Sequence, residues 1–344
     1  MRITEIMLSS NFGGLERHFL DCALECARHG HEVQVICRQG FTHRQAFGGQ
    51  AHLTVQPLTL FGTWDPLARH RLTSILRDFH PDVVHTHGRR AAWLGGKAAR
   101  HEHLRCVAVL HNEGSLDRYC HVDSLIATSE GQRQHALQQG WPAEHIVISP
   151  CFSRMPAVAV LPQRPAGPLR LLAYGRFDPI KGFDLLLEAF RLVLDQGVDA
   201  ILRLGGAGPE HTRLLAKTRQ LNLGDRVLFT GWIDDVQAAL DSSDLFVLPS
   251  RSESFGIVIL EAMARGIPIV STRTHGPRQI LDESTAFLVE TGSVEALATG
   301  LLAAARDAAR SRSMAQCALD RFRQQYAADA VLPTLLRALA DEKP

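Results

Sequence analysis

Two rhythms alternate along the chain. Short apolar runs are followed by longer stretches in which apolar residues recur every three to four positions. The first kind reads as buried strand and the second as amphipathic helix. Residues 3–9 form the first such run. Gly13 and Gly14 follow, and then a helical stretch to Arg28, with Leu15, Phe19, Ala23 and Cys26 at helical spacing and Gly30 at the carboxyl cap. Residues 33–37 predict a second strand. Residues 66–79 predict a helix with Leu67, Leu72, Ile75, Leu76 and Phe79 mostly on one side, stopped by Pro81. A strand over 82–87, a helix over 89–100 and a strand over 106–110 come next. Strands over 125–129 and 146–150 flank a helix over 130–139. After residue 168 the pattern resumes, with strands over 169–174, 200–204, 227–230, 245–249 and 267–271 and helices between them. Beyond Ser293 the chain is mostly helical to Asp341.

Strands alternating with helices imply βαβ units and parallel sheets covered on both faces, an α/β fold. Pro156, Pro162, Pro165 and Pro168 crowd the stretch between the two runs of alternation, and proline breaks both ladders and helices. The expected division is therefore 1–155, 165–325 and a last helical segment, 326–344, crossing back to the first half. A chain of 344 residues is long enough for two domains at roughly 100–200 residues each. Open α/β sheets bind ligands beyond the carboxyl ends of their strands, so the residues there are the candidates for chemistry.

Composition narrows the classes. Lys and Arg number 37 against 36 Asp and Glu, which argues against a nucleic-acid binder with its basic excess. No apolar run is long enough to span a membrane, and the amino terminus lacks a secretory pattern. Seven cysteines without a C-x-x-C fit reduced thiols in a cytosol; Cys22 and Cys26, four apart, read as one helix face in the core. Only four basic residues are lysines, and of the 17 histidines only His211 and His275 lie beyond residue 150.

Two segments carry the strongest chemical signal. In Glu253-Ser-Phe-Gly-Ile-Val-Ile-Leu-Glu261, a helix beginning at Gly256 would point free N–H groups of Gly256 and Ile257 at an anion. Glu253 and Glu261 suit a vicinal diol of ribose or hexose, or are simply a solvated loop and a helix carboxylate; spacing leaves both open. In Gly175-Arg176-Phe-Asp-Pro-Ile-Lys181-Gly182, two cations stand between a strand and a helix, a phosphate-binding arrangement if they are not surface charges. Gly13 and Gly14 allow a similar close backbone approach. Gly205-Gly-Ala-Gly208 is not a dinucleotide fingerprint, because His211 stands where the last glycine would fall. His85 and His87 have an H-x-H spacing, but no further ligand stands at a recognisable interval, and no metal or cofactor is expected. Asp234 and Asp235 read as a helix cap, not a metal motif.

These motifs in their order, with GGLERH, GHEV, PDVVHTHG, IATSEGQRQ, YGRFDPIKGF, VLFTGW and SDLFVLPS, resemble glycosyltransferase family 4, a family of retaining sugar transferases with the GT-B fold. The resemblance implies two facing Rossmann-like domains and a nucleotide diphosphate sugar, most often UDP-linked, as donor. It implies Arg176 and Lys181 on the diphosphate and Glu261 on the ribose. Glu253 with the backbone of Phe255, Gly256 and Ile257 would hold the transferred sugar and phosphate, Gly14 would approach from the amino-terminal side, and His111 would stand near the sugar. It implies metal-independent hexosyl transfer to a glycan or lipid-linked acceptor, in synthesis of lipopolysaccharide or another bacterial surface polysaccharide. The chain departs from the family at Pro150-Cys151-Phe152-Ser153, where relatives usually carry Pro-Asn-Gly, and at Gln279, where many carry Glu. A helix with Arg89, Arg90, Trp93, Lys97 and Arg100 either contacts anionic lipid as a peripheral protein of the inner membrane's cytoplasmic face, or is solvated around one packed Trp. A nucleotide-sugar epimerase on the same fold and a noncatalytic GT-B partner subunit remain the rival readings.

Overall fold

The computed structural model describes residues 1–9, 13–61, 65–163 and 166–341. It divides into two compact units, Met1–Phe152 with the segment from Ala328, and Ser153–Ala327. In the first, β1 (Arg2–Met7), β2 (Glu32–Arg38), β3 (Leu53–Leu58), β4 (Val83–His87), β5 (Arg105–Val109), β6 (Ser124–Ala127) and β7 (Ile146–Ile148) form one sheet in the order β3-β2-β1-β4-β5-β6-β7. In the second, β8 (Leu169–Tyr174), β9 (Ala200–Gly205), β10 (Val227–Gly231), β11 (Leu245–Leu248), β12 (Ile269–Thr272) and β13 (Phe287–Val289) run in the order β10-β9-β8-β11-β12-β13. Every pairing is parallel. The α/β class expected from the alternation is the observed one.

Central strands such as β11 are buried at every residue, which is why they read as unbroken apolar runs. Two strands escaped the sequence reading for opposite reasons. Edge strand β3 alternates half-buried and exposed residues and carries Pro57, tolerated because an edge strand has one unpaired side. Strand β13 is only three residues long. The runs over 3–9 and 245–249 outlast their strands, which end at Met7 and Leu248.

The first unit's core lies where the helix Gly14–Arg28 packs on the sheet. Phe19, Ala23, Cys22 and Cys26 are buried there with Val331, Leu332, Leu335 and Leu339 of the helix Ala328–Ala340. Arg105 anchors that last helix by pairing with Asp341 at 2.8 Å and donating to the Ala338 carbonyl. All seven cysteines are free thiols. The second core gathers Phe177, Phe183, Leu186 and Phe190 against β8 and β9. Asp235 accepts from the Ala238 amide and caps the helix Val236–Asp241.

The proline-rich stretch is a strap on the second unit. Val158 donates its amide to Ala264, Arg265 donates to the Pro156 carbonyl at 2.6 Å, and Leu161 is buried with Ala315 and Leu319. Pro165 lies outside the described residues. The strap closes against Gly266, where a Cβ would reach the Val158 and Pro162 side chains.

Backbone packing is tightest at the carboxyl end of β9. Gly206 has φ of +142°, and a Cβ there would run into the carbonyl oxygen of Gly175. Gly206→Ala therefore combines backbone strain of about 1–3 kcal/mol with a clash. The expected result is a fall in Tm on the order of 5–10 °C by calorimetry. Gly14→Ala, at a position with no atom of the described residues within 4 Å of the added Cβ, is the matched control and should leave Tm unchanged.

Candidate active site

In each sheet the strand order reverses beside the first strand, between β1 and β4 and between β8 and β11. Loops leave such a switch point in opposite directions and open a crevice at the carboxyl ends. In the second unit the segments 175–182 and 249–256 meet there. The Arg251 amide donates to the Ile180 carbonyl at 2.7 Å, joining the two loops backbone to backbone. Gly182, at φ +67°, lets the first loop press on Pro249, whose carbonyl would collide with any Cβ.

Lys181 closes a short 3-10 turn, Pro179–Lys181, capped by Asp178, whose carboxylate accepts from the Ile180 amide at 3.2 Å. Its Nζ lies 2.6 Å from Glu253 Oε2, with both side chains partly exposed. Arg176 turns the other way and binds Asp178 at 2.9 Å, so the two cations share a loop but have different partners. Glu253 accepts nothing from the helix after it; its carbonyl takes the Gly276 amide at 2.9 Å, placing β12's outgoing loop beside it.

That helix runs Ile257–Ala264. Gly256 caps it at φ +99°, a left-handed conformation that disfavours other residues. Ile259 already donates to the Gly256 carbonyl, while the N–H groups ahead of it belong to the turn that has no intrahelical acceptor. Phe255 is buried, its backbone so close to Gly276 that a Cβ on the glycine would lie 2.5 Å from the Phe255 amide nitrogen. Glu261 is buried one turn into the helix and accepts a 2.5 Å hydrogen bond from the Tyr174 hydroxyl at the end of β8. The structure thus brings Lys181 to Glu253 and gives Glu261 a separate partner.

Three residues of this constellation were not legible as site residues. Tyr174 was read only as the end of a strand. Arg251 grips Asp184 through two bonds of 2.7 and 2.9 Å and also donates to the Pro179 carbonyl at 2.7 Å, clamping the turn that carries Lys181. Neither has a motif of its own; the pairing spans 67 residues of sequence. Gln279, the family departure, donates to His275 at 2.5 Å, and its Oε1 is buried without a hydrogen-bond partner.

The first unit places its candidates differently. Gly13 is the extended cap of the helix Gly14–Arg28. His111 follows β5, its ring 5.6 Å from that of His18 and 5.8 Å from that of His87. Beneath them Glu5 is fully buried and accepts from His85 Nδ1 at 3.0 Å and His87 Nε2 at 2.8 Å. Burial pushes the Glu5 carboxyl up, but the two imidazoles outweigh it and hold it at about 2. Burial, with His85 adding to it, brings His87 down to about 4, and burial with the neighbouring imidazoles pushes His18 and His111 well below the usual range. Trp93 packs against His121 at 4.7 Å under Lys97 and Arg118. Among the described residues no helix is long and apolar enough to cross a membrane.

With this geometry established, comparison with known proteins is informative. Residues 12–152 match the model described as Glycosyltransferase Family 4, and residues 162–320 that of Glycosyl transferases group 1. The chain is 27% identical over 328 residues to the lipopolysaccharide core biosynthesis glycosyltransferase LpsD of Rhizobium meliloti, covering 94% of each protein. It is 28% identical to LpsE of the same organism, over 99% of this chain and 100% of that one. Among solved structures, Anabaena Alr3699/HepE in complex with UDP superposes with a TM-score of 0.83 at 20% identity, over 99% of this chain and 100% of that one. At that identity the likeness shows the fold, that of the GT-B glycosyltransferases.

The Arg251–Asp184 clamp makes a testable contribution. Burial raises the Asp184 carboxyl, but Arg251 outweighs it and leaves the folded pKa below its ordinary 3.8. A carboxyl depressed by folding stabilises above its unfolded pKa, and that contribution is lost as pH falls through the folded value. Asp184→Asn should cost about 1 kcal/mol at pH 7, the scale of a partly exposed pair. The difference from the parent should shrink from about pH 4 downward, as read by urea unfolding of both proteins at pH 7, 5, 4 and 3.

Proposed function

Because the chain belongs to the glycosyltransferases, family 4 over residues 12–152 and group 1 over 162–320, we propose that it moves a hexosyl unit from a nucleotide diphosphate sugar, a UDP-sugar first, to a glycan or lipid-linked acceptor. Relatives named for lipopolysaccharide core biosynthesis along their whole length support an acceptor in lipopolysaccharide or surface-polysaccharide synthesis. The Anabaena neighbour, solved with UDP and with UDP-glucose, supports the donor. The reaction retains anomeric configuration, needs no catalytic metal, and takes place at the cytoplasmic face of the inner membrane with peripheral contact.

The observation that carries this reading is the Lys181–Glu253 pair at the switch point, beside the cap of the helix Ile257–Ala264. Cleaving a glycosyl–phosphate bond leaves negative charge on the diphosphate and positive charge on the sugar. Lys181, Arg176 and the amides around Gly256 stabilise the first by preorganised electrostatics. Glu253 faces the second. Glu261, held by Tyr174, takes the ribose hydroxyls as a two-oxygen acceptor. The C1–O bond to the diphosphate breaks, the acceptor oxygen bonds C1 on the same face, and the acceptor's proton passes to the departing phosphate oxygen.

In the free protein Glu253 neutralises Lys181, and a bound diphosphate would take over that cation. Lys181→Ala should weaken donor binding tenfold to a hundredfold, the scale of a charge-assisted hydrogen bond. Glu253→Gln should leave UDP affinity equal or tighter while transfer falls on the order of 100-fold. Thermal shift with UDP-, GDP- and ADP-sugars checks the donor, since a native-state ligand raises Tm. No stabilisation by any nucleotide would overturn the donor site. Conversion of donor alone into an isomeric nucleotide sugar, without transfer, would favour an epimerase.

A further inference from the structure

Among the described residues of the first unit, Phe61 and Leu67 are the most exposed large apolar side chains, at 79% and 59%. Single apolar residues scattered over a surface need no explanation. These two share one support. Asp65, itself buried, accepts from the Phe61 amide at 2.8 Å and from the Leu67 and Ala68 amides at 3.0 Å each. One carboxylate therefore holds the backbone of both residues and caps the helix Pro66–Phe79.

The charge around them has one sign. Arg69, His70 and Arg71 follow Leu67 and are exposed. The neighbouring helix, Arg89–His101, begins with two arginines. The two helices share a core, Leu72 and Leu76 of the first with Ala91 and Leu94 of the second. Each carries the chain from one parallel strand to the next, so both begin at the carboxyl edge of the sheet. Asp65 is the one acid in residues 59–75, and residues 88–101 contain none. Helix starts ordinarily favour acids over cations because of the helix dipole, yet neither first turn holds an acid. At the opposite end positive charge is matched, Arg77 to Glu102 at 2.7 Å. Unmatched cations are thus concentrated beside the exposed apolar side chains.

We propose that this rim, Phe61 and Leu67 with Arg69, Arg71 and Arg89, docks on a bilayer of anionic phospholipid. The inference rests on the peripheral contact proposed above and gives it a surface. Charge complementarity names the partner. Arginine matches a phosphate as a planar fork, and Phe and Leu enter the apolar boundary beneath the headgroups. A soluble phosphate would leave both apolar side chains in water. The cationic helix that the sequence offered for lipid contact contributes its first turn only. Farther along, Trp93 is half-buried, packed on His121 with Lys97 and Arg118 over its ring. Docked by this rim, the first unit turns the carboxyl edge of its sheet, where its crevice opens, toward the membrane. A lipid-linked acceptor then reaches that edge without leaving the bilayer.

The test sediments the full, tag-free chain with vesicles of phosphatidylglycerol and phosphatidylethanolamine, or of phosphatidylcholine alone. The expected result is binding to the first and not to the second, weakened at least about tenfold as salt rises from about 0.05 to 0.5 M. Phe61→Ser with Leu67→Ser should weaken binding about tenfold to a hundredfold at either salt. Arg69→Gln with Arg71→Gln should weaken it about 25-fold at low salt, roughly fivefold for each cation, and flatten the salt dependence. Val160→Ser, at an apolar residue of the second unit that is 75% exposed, should change nothing. All these side chains are exposed, and an unchanged Tm confirms that each variant folds. A parent protein that does not sediment with anionic vesicles overturns the proposal. Binding that survives Phe61→Ser with Leu67→Ser undiminished overturns it as well, and makes the rim a phosphate site without bilayer insertion. Thermal shift with UDP-sugars on the same preparations keeps the two readings apart. Nucleotide stabilisation without vesicle binding overturns the docking surface alone, and vesicle binding without nucleotide stabilisation overturns the donor site alone.

Discussion

All-parallel pairing is the constraint from which the rest follows. A parallel strand pair needs a crossover that returns the chain to the same end, so every strand delivers its carboxyl terminus to one edge of the sheet. In both units the crossovers wind outward from a central strand, β1 or β8, and the loops diverge beside it. Residues far apart in sequence meet there without long loops. Lys181 and Glu253, separated by 72 positions, come within 2.6 Å because β8 and β11 are neighbours. His87 and Glu5, separated by 82, do so because β4 pairs with β1.

Such convergence works only if the backbone packs closely, and this sets the roles of particular glycines. Gly182, Gly206 and Gly276 each stand where a Cβ would meet a neighbouring main chain. The loops around the second switch point are therefore held by peptide contacts, with the Arg251–Asp184 clamp across them, and the candidate side chains project from a fixed frame. Gly14 differs: among the described residues nothing lies within 4 Å of a Cβ there.

What was legible in the sequence follows the same division between local and long-range physics. Strand 169–174 was readable to the residue because a buried central strand is a bounded apolar run. Edge strand β3, half-exposed and containing Pro57, lacks that signature. Around the site, charges standing next to strand ends and helix starts were legible, since adjacency there is a matter of a few residues. Their partners were not. That Arg176 turns to Asp178 while Lys181 crosses to Glu253, or that Tyr174 holds Glu261, depends on how two strands and a helix lie against each other. The H-x-H of β4 shows the limit most clearly. Judged by interval alone it has no companion, and the fold supplies one in Glu5 of β1, which accepts from both rings.

The two switch points solve the problem of charge in opposite ways. In the second unit the ion pair is partly solvated, so its Coulomb energy is small and either partner can be replaced at little cost. In the first, Glu5 is excluded from water, and a buried anion is tolerated only with hydrogen bonds and compensating positive charge around it. Two imidazole N–H groups supply the hydrogen bonds. On this argument the solvated pair is built to exchange partners, and the dry cluster is built to keep one.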